Sequence, residues 1–329
     1  MANVQRYFEE FHETIHADYD MNEELREKRN AILERVRVHL KEKELPGFQE
    51  IMQGSYAMGT GIKPIGKLKY DIDVGLCFNL SESDHSAGIV RGWVYNAVMS
   101  HTEEVENKNS CIRVKYKGEL FHVDLVSYAR WKDGRGEQVR LAHKTGGWRH
   151  ANPEGLKEYI ASAREKFKGT EDSKTEADQF RRIVRYLKRW DDAANPAEAD
   201  NKPSGLAFTL LSVKLLNPRR SLSGHPDDRA ALEAMAANAA QQPGRLIARK
   251  PTPEYEDVFA GLSDRDMEKL KARFARLAEM LRKVEEEADP VEACEELRRA
   301  FGDDFPVPTK SESSRRTESP AIITSSASA

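Results

Sequence analysis

Asp71 and Asp73, in Tyr70-Asp71-Ile72-Asp73-Val74, are the first residues whose type and spacing could do chemistry. Side chains alternate along a strand, so the two carboxylates share one face while Ile72 and Val74 share the other. Two adjacent acids repel, and an unliganded fold gains nothing from them. A divalent cation resolves the conflict, and hard Mg²⁺ prefers carboxylate oxygens together with substrate phosphates. A third acid, Asp124, stands in the apolar run Phe121-His122-Val123-Asp124-Leu125-Val126, where a charge is costly without a partner. If the two runs are neighbouring strands, the three carboxylates hold two metal ions, which activate an attacking hydroxyl and neutralise a leaving pyrophosphate. Upstream, Gly54-Ser55 opens the stretch GSYAMGTG, a turn whose backbone N–H groups and hydroxyl approach phosphate oxygens closely. An Asp-x-Asp pair alone is a weak signal, but Gly-Ser, Asp-x-Asp and a later strand aspartate together are specific.

These residues need a frame. Leu25, Ile32, Val36 and Leu40 recur at helical spacing before Pro46-Gly47 ends the run. From Phe48 to Val126 the texture turns to short strands at 72–78, 111–117 and 120–129, with a helix at about 86–100. Beyond Pro153 the pattern predicts helices over 154–167, 176–192, 204–217, 227–240 and 264–287. In the last, Met267, Leu270, Phe274, Leu277, Leu281 and Val284 alternate three and four apart, which reads as a core-facing stripe rather than a coiled-coil seam. From Pro306 the sequence is Ser-rich and reads as a flexible tail. The expected architecture is α+β: a mixed-sheet lobe over 1–150, a helical lobe over 151–305 and a tail over 306–329.

The helical half adds basic residues. In Phe180-Arg181-Arg182-Ile183-Val184-Arg185-Tyr186-Leu187-Lys188-Arg189-Trp190 they form one stripe, which by itself reads as a solvated helix face. Ser204 is a helix N-cap candidate, and residues 201–224 hold Lys202, Lys214, Arg219 and Arg220 with no acid, which suits an anionic ligand. Trp148 and His150 sit at the lobe boundary, Trp148 as a packed hinge aromatic. His122 falls on the strand face opposite Val123 and is read as packing or hydrogen-bonding there, not as a base.

Composition narrows the class. Among the 329 residues, 52 Lys and Arg against 55 Asp and Glu give a net charge of −3, so a nonspecific DNA coat is not expected. Cys77, Cys111 and Cys294 lie far apart with no Cys/His cluster, which argues against structural zinc and fits a reducing cytoplasm. No apolar run reaches the ~20 residues of a membrane helix, and the first twenty residues hold no apolar signal core.

The order Gly-Ser, Asp-x-Asp, later strand Asp resembles that of the polymerase-β-like nucleotidyltransferases. The fuller wording GSYAMGTGIKP…YDIDVGLCF, then FHVDLV, is similar to the bacterial cyclic-oligonucleotide synthases related to cGAS and oligoadenylate synthase, the cGAS/DncV-like group or CD-NTases. Fifteen residues separate Ser55 from Asp71, slightly more than the general superfamily pattern, and the insertion GIKPIGK is typical of the bacterial synthases. The resemblance implies a catalytic sheet lobe closed by a helical lobe. Asp71 and Asp73 would bind two Mg²⁺ ions, with Mn²⁺ as the alternative, that grip a donor triphosphate. Asp124 would complete one metal site and help activate the acceptor hydroxyl. Gly54 and Ser55 would cradle donor phosphates, Lys188 first and Arg185 second would reach the triphosphate, and Ser204 would touch it while capping its helix. The implied substrates are ATP and other NTPs. The implied product is a cyclic oligonucleotide, in particular a cyclic trinucleotide such as cyclic triadenylate, made in antiphage (CBASS) defence. The resemblance also implies a HORMA-domain regulator or a ubiquitin-transfer-like enzyme acting through the tail, while a nucleic-acid activator is not indicated. The alternatives are a linear or RNA-terminal nucleotidyltransferase and a catalytically silent nucleotide-binding module of the same fold.

Overall fold

The structure, a computed structural model, describes residues 3–17, 23–66, 68–118, 121–195 and 202–309; the tail from 310 onward, with Ala321-Ile322-Ile323, lies outside them. One seven-stranded sheet carries the first lobe. Its strands are β1 (Phe48–Met52), β2 (Tyr70–Asn79), β3 (Glu104–Asn107), β4 (Ile112–Lys115), β5 (Phe121–Asp133), β6 (Gly136–His143) and β7 (Gly147–His150). The order is β1-β2-β5-β4-β3, with β6 on β5 and β7 on β6. β2 and β5 are parallel, and the remaining pairs are antiparallel.

Alternation decides what each face does. Ile72, Val74, Leu76 and Phe78 of β2 join Val123 and Leu125 of β5 in a core covered by α2 (Glu23–Glu42) and α4 (Ala87–Val98), while the one-turn α3 (Gly54–Ala57) follows β1. α2 buries Leu25, Ile32, Leu33, Val36 and Leu40, which are the spaced residues read from the sequence and one neighbour. α4 starts at Ser86, whose hydroxyl accepts from the Ile89 N–H. The opposite sheet face carries the odd residues of β2 and the even residues of β5, and it looks toward the helical lobe.

That second lobe packs α5 (Pro153–Arg164), α7 (Gly205–Leu215), α8 (Asp228–Gln241), α9 (Asp264–Glu286) and α10 (Pro290–Phe301) around α6 (Gln179–Ala194). The α9 stripe from Met267 to Val284 is buried in this core. α10, started by the Asp289 cap and Pro290, and the short strands β1, β3, β6 and β7 are elements the periodicity did not reveal.

Two features differ from the sequence expectation. α1 (Gln5–Ile15) was expected within the 1–150 lobe, but it inserts Tyr7, Phe8, Phe11 and Ile15 into the helical core, where Phe11 stacks on Tyr186 at 5.4 Å. Its apolar face matches α6 and α10, not the sheet. Second, the basic stripe of α6 is not a solvated face. Arg182, Arg185, Lys188 and Arg189 are all buried, because α6 is the central helix of its lobe.

Candidate active site

The register of β2 on β5 sets Asp73 opposite Asp124 and Asp71 opposite His122. Four polar side chains therefore crowd onto one small area of a face otherwise built for packing. Asp124 is buried, and β4 places Arg113 directly beside it. The Arg113 guanidinium donates from Nε to Asp124 Oδ1 and from Nη2 to Oδ2, both at 2.8 Å, a bidentate pair. Arg113 Nη2 is also 3.5 Å from Asp71 Oδ1. His122, 1% exposed, lies with Nε2 against Asp71 Oδ1.

The electrostatics of the two strand acids diverge. Burial, then the charges of Asp71 and Asp124, push Asp73 up to about 7. Burial also works to raise Asp71, but the His122 contact and the Arg113 charge overcome it and hold Asp71 below the usual carboxylate range. Asp73 is thus the member of the cluster whose charge is least compensated.

Gly54 explains how the phosphate-type turn comes so near. Its φ of +68° favours glycine. A Cβ at that position would also stand 2.0 Å from Asp73 Oδ2, so the turn meets the carboxylate only because no side chain intervenes. After this turn, residues 59–63 are gripped by α6. Arg185 donates from Nε to the Gly61 carbonyl at 3.1 Å and from Nη2 to the Gly59 carbonyl at 2.6 Å. Arg189 Nη2 donates to the Lys63 carbonyl at 2.7 Å. Between them, Lys188 Nζ donates to the Thr60 carbonyl at 2.8 Å.

One cleft of about 1370 Å³ brings Gly54, Ser55, Asp71, Asp73, Lys188 and Ser204 together, with Trp148 and His150 along its far wall. Ser204 is the α7 N-cap, its hydroxyl accepting from the Ala207 N–H at 3.2 Å. Gly205 follows it, where a Cβ would come within 3.0 Å of Lys188 Cε. Burial and the Arg185 charge lower Lys188 to about 8, against the pull of Asp192, Asp73 and Asp71. Arg185 does not line this cleft; it spends its donors on the 59–61 carbonyls and on His12 Nε2 at 2.6 Å. Its placement is that of a clamp on the turn. Trp148 Nε1 donates to the His85 carbonyl at 2.9 Å, so the ring is anchored while it lines the cleft.

Residues 48–128 match the family model described as the nucleotidyltransferase domain of DncV-like cyclic GMP-AMP synthases. That match makes residues 48–128 a DncV-like nucleotidyltransferase domain. Among its relatives, a cyclic GMP-AMP synthase of Escherichia albertii is 27% identical over 193 residues, 56% of this chain and 41% of the relative. A c-di-GMP synthase of Roseivirga ehrenbergii is 23% identical over 191 residues, 52% of this chain and 50% of the relative. The aligned part is therefore half or less of each of these relatives. The crystal structure of Vibrio cholerae DncV, a cyclic AMP-GMP synthase and prokaryotic cGAS homolog, superposes with a TM-score of 0.76 over 92% of this chain and 97% of that one. At 16% identity, that likeness is one of fold.

The matched region holds the turn, all three aspartates, Arg113 and His122, whereas Lys188 and Ser204 come from the helical lobe. The donor set fits a divalent cation. Three carboxylates converge, and a ligand atom from each of Asp71, His122 and Asp124 lies within 4.8 Å of the other two. Arg113 is the site residue that sequence reasoning did not single out, and His122, read there as packing or hydrogen-bonding, sits against Asp71. Alternation already put His122 on the Asp124 face; Arg113 depends on the β4–β5 register, which no local pattern reveals. Among the described residues no helix is long and apolar enough to cross a membrane.

Proposed function

We propose that this chain is a metal-dependent nucleotidyltransferase that joins nucleoside triphosphates, ATP first among them, into a cyclic oligonucleotide. The observation that supports this most is the convergence of the Gly54 turn, Asp71, Asp73 and Lys188 in one cleft between two lobes, with Asp124 paired to Asp73 on the neighbouring strand. In this reading the 3′- or 2′-hydroxyl oxygen of one ribose attacks the α-phosphorus of an NTP, the bond to the β-phosphate oxygen breaks, and pyrophosphate leaves as the hydroxyl gives up its proton. When bound at Asp71, Asp73 and Asp124, two Mg²⁺ or Mn²⁺ ions supply charge neutralisation of the triphosphate and a more acidic attacking hydroxyl.

The chain's own groups do the rest. The Gly54 turn and the Ser55 hydroxyl hold donor phosphates at the edge of the sheet. Lys188 adds a cation from the helical side, and Ser204 a hydroxyl at a helix N-terminus, where anions are favoured. Arg113 fixes the Asp124 carboxylate beside Asp73 and limits its rotation. Arg185 and Arg189 set the distance between the turn and α6, and so the width of the cleft.

The relatives carry the names of cyclic dinucleotide synthases, whereas the sequence wording points to a cyclic trinucleotide such as cyclic triadenylate. Mass spectrometry of products from all four NTPs, with Mg²⁺ and with Mn²⁺, tests the reading and separates the ring sizes. A phosphatase-resistant cyclic product, absent from an Asp71→Asn/Asp73→Asn protein, is expected. A linear product overturns cyclisation, and no product with either ion overturns self-sufficient catalysis. The wider setting of this reading is cytoplasmic antiphage signalling, with a HORMA-domain regulator or a ubiquitin-transfer-like enzyme engaging the chain beyond residue 309.

A further inference from the structure

We propose that His122 is itself a metal ligand, so that the carboxylate centre presents an imidazole nitrogen and selects a first-row transition ion such as Mn²⁺ over Mg²⁺. The inference deepens the function proposed above and rests on it for the role of the metal.

Placement comes first. His122 is in register with Asp71 and two residues before Asp124 on β5, so all three side chains leave the sheet on the same face. The three ligand atoms are mutually within 4.8 Å. Ligands of an octahedral ion with bonds of ~2.1 Å stand about 3 to 4.2 Å apart, so this spread needs only small side-chain rotations to close on one cation.

The second observation concerns the ring. His122 is 1% exposed, and neither of its ring nitrogens makes a well-formed hydrogen bond. Nε2 is aimed at the Asp71 carboxylate instead. Buried imidazole nitrogens are ordinarily satisfied, because losing water without a replacement partner is costly. A packing residue at this position would be served as well by an apolar ring. A buried imidazole nitrogen held against a metal-type carboxylate has the placement of a ligand.

Arg113 does not block this role. It occupies one lone pair on each Asp124 oxygen, and an ionised carboxylate offers about four acceptor positions. About two acceptor positions therefore remain on Asp124 for a cation.

Ion choice follows from ligand type. Mg²⁺ is served by oxygen and keeps much of its water, whereas imidazole nitrogen shifts relative affinity toward transition ions. A set of two carboxylates and one imidazole therefore discriminates in a way that three carboxylates alone do not.

The test uses the full chain without nucleotide, titrated with Mn²⁺ and followed by electron paramagnetic resonance, with Mg²⁺ as competitor. Pulsed measurements on the bound Mn²⁺ are expected to show a directly coordinated histidine nitrogen, lost in His122→Gln. That variant is expected to bind Mn²⁺ roughly 10–100-fold more weakly, while Mg²⁺ affinity changes by less than about threefold. Absence of a histidine nitrogen coupling in the unaltered protein overturns the proposal, whether or not the variant folds. An unchanged Mn²⁺-to-Mg²⁺ preference in a folded His122→Gln protein overturns it as well and leaves His122 as a positioning residue for Asp71. Because these readouts need no turnover, failure of the proposed synthesis and failure of the proposed ligand are told apart.

Discussion

Two charged patches lie on either side of the cleft, one on the sheet and one within the helical lobe, and they are built on opposite plans. On the helical side, Arg182, Arg185, Lys188 and Arg189 are buried and almost fully answered. Arg182 forms a wholly buried pair with Asp228, and the others reach carbonyls of the 59–63 segment. On the sheet side, three aspartates and a histidine have one arginine among them, and Asp73 is held at about 7 by burial and its acidic neighbours. The first patch spends its charge on architecture, while the second leaves charge unspent. Lys188 alone belongs to both, since it is bonded to Thr60 yet lines the cleft. A count of charges by type would rank the basic stripe as the more functional; the partners reverse that ranking.

The sharpest way to break the contrast is Asp73→Asn. Nucleotidyl transfer should fall by ~10³-fold or more, because the metal-dependent stabilisation of the transferred charge is lost. The same variant should be more stable than the parent in chelator at neutral pH. With a folded pKa above the unfolded one, Asp73 makes stability fall as pH rises from about 4 to about 7. Thermal melts across that range should show the gap between Asp73→Asn and parent opening with pH and then levelling.

Next in size is a break on the helical side. Arg182→Met leaves the Asp228 carboxylate buried without its partner, and losing half of such a pair costs about 3–5 kcal/mol. For a lobe of this size that is a melting temperature lower by roughly 6–20 °C. At low temperature the folded fraction should retain most of its activity, since Arg182 touches nothing in the cleft. Loss of activity in a fully folded Arg182→Met protein would show the stripe to be functional after all.

The smallest expected effect concerns the residue that belongs to both patches. Lys188 titrates near about 8, so its positive charge, and with it NTP affinity, should decline as pH rises through that value. KM for the NTP should climb several-fold between pH 7 and 9 in the parent and stay flatter in Lys188→Arg, whose guanidinium remains charged. A flat KM profile in the parent would assign Lys188 to architecture with its neighbours.

Much of the sheet side was legible because it rests on local rules. Period-two alternation put Asp71 and Asp73 on one face, and the apolar run around Asp124 marked a buried strand. What escaped depends on partners distant in sequence. Spacing shows that Arg182, Arg185 and Arg189 share a region of a helix, but not that the helix is central to its lobe. Arg113 acquires its role only from pairing with β5. The strands Gly136–His143 and Gly147–His150 hide because GEQVRLAH and GWRH are polar and short. α1 was placed with its sequence neighbours, although Phe8 and Phe11 belong with Tyr186, more than 170 residues away.

That last pairing makes the sheet lobe, in topological terms, an insertion between the first and second helices of the helical lobe. The helical core cannot be sealed until a segment made near the start of the chain returns to meet one made after its middle. Its closure is a high-contact-order event of the slow kind, with the apolar faces of α6 and α10 open until α1 docks. Trimming the front of the chain would therefore damage its far end, leaving an intact sheet beside a helical bundle that lacks one stave.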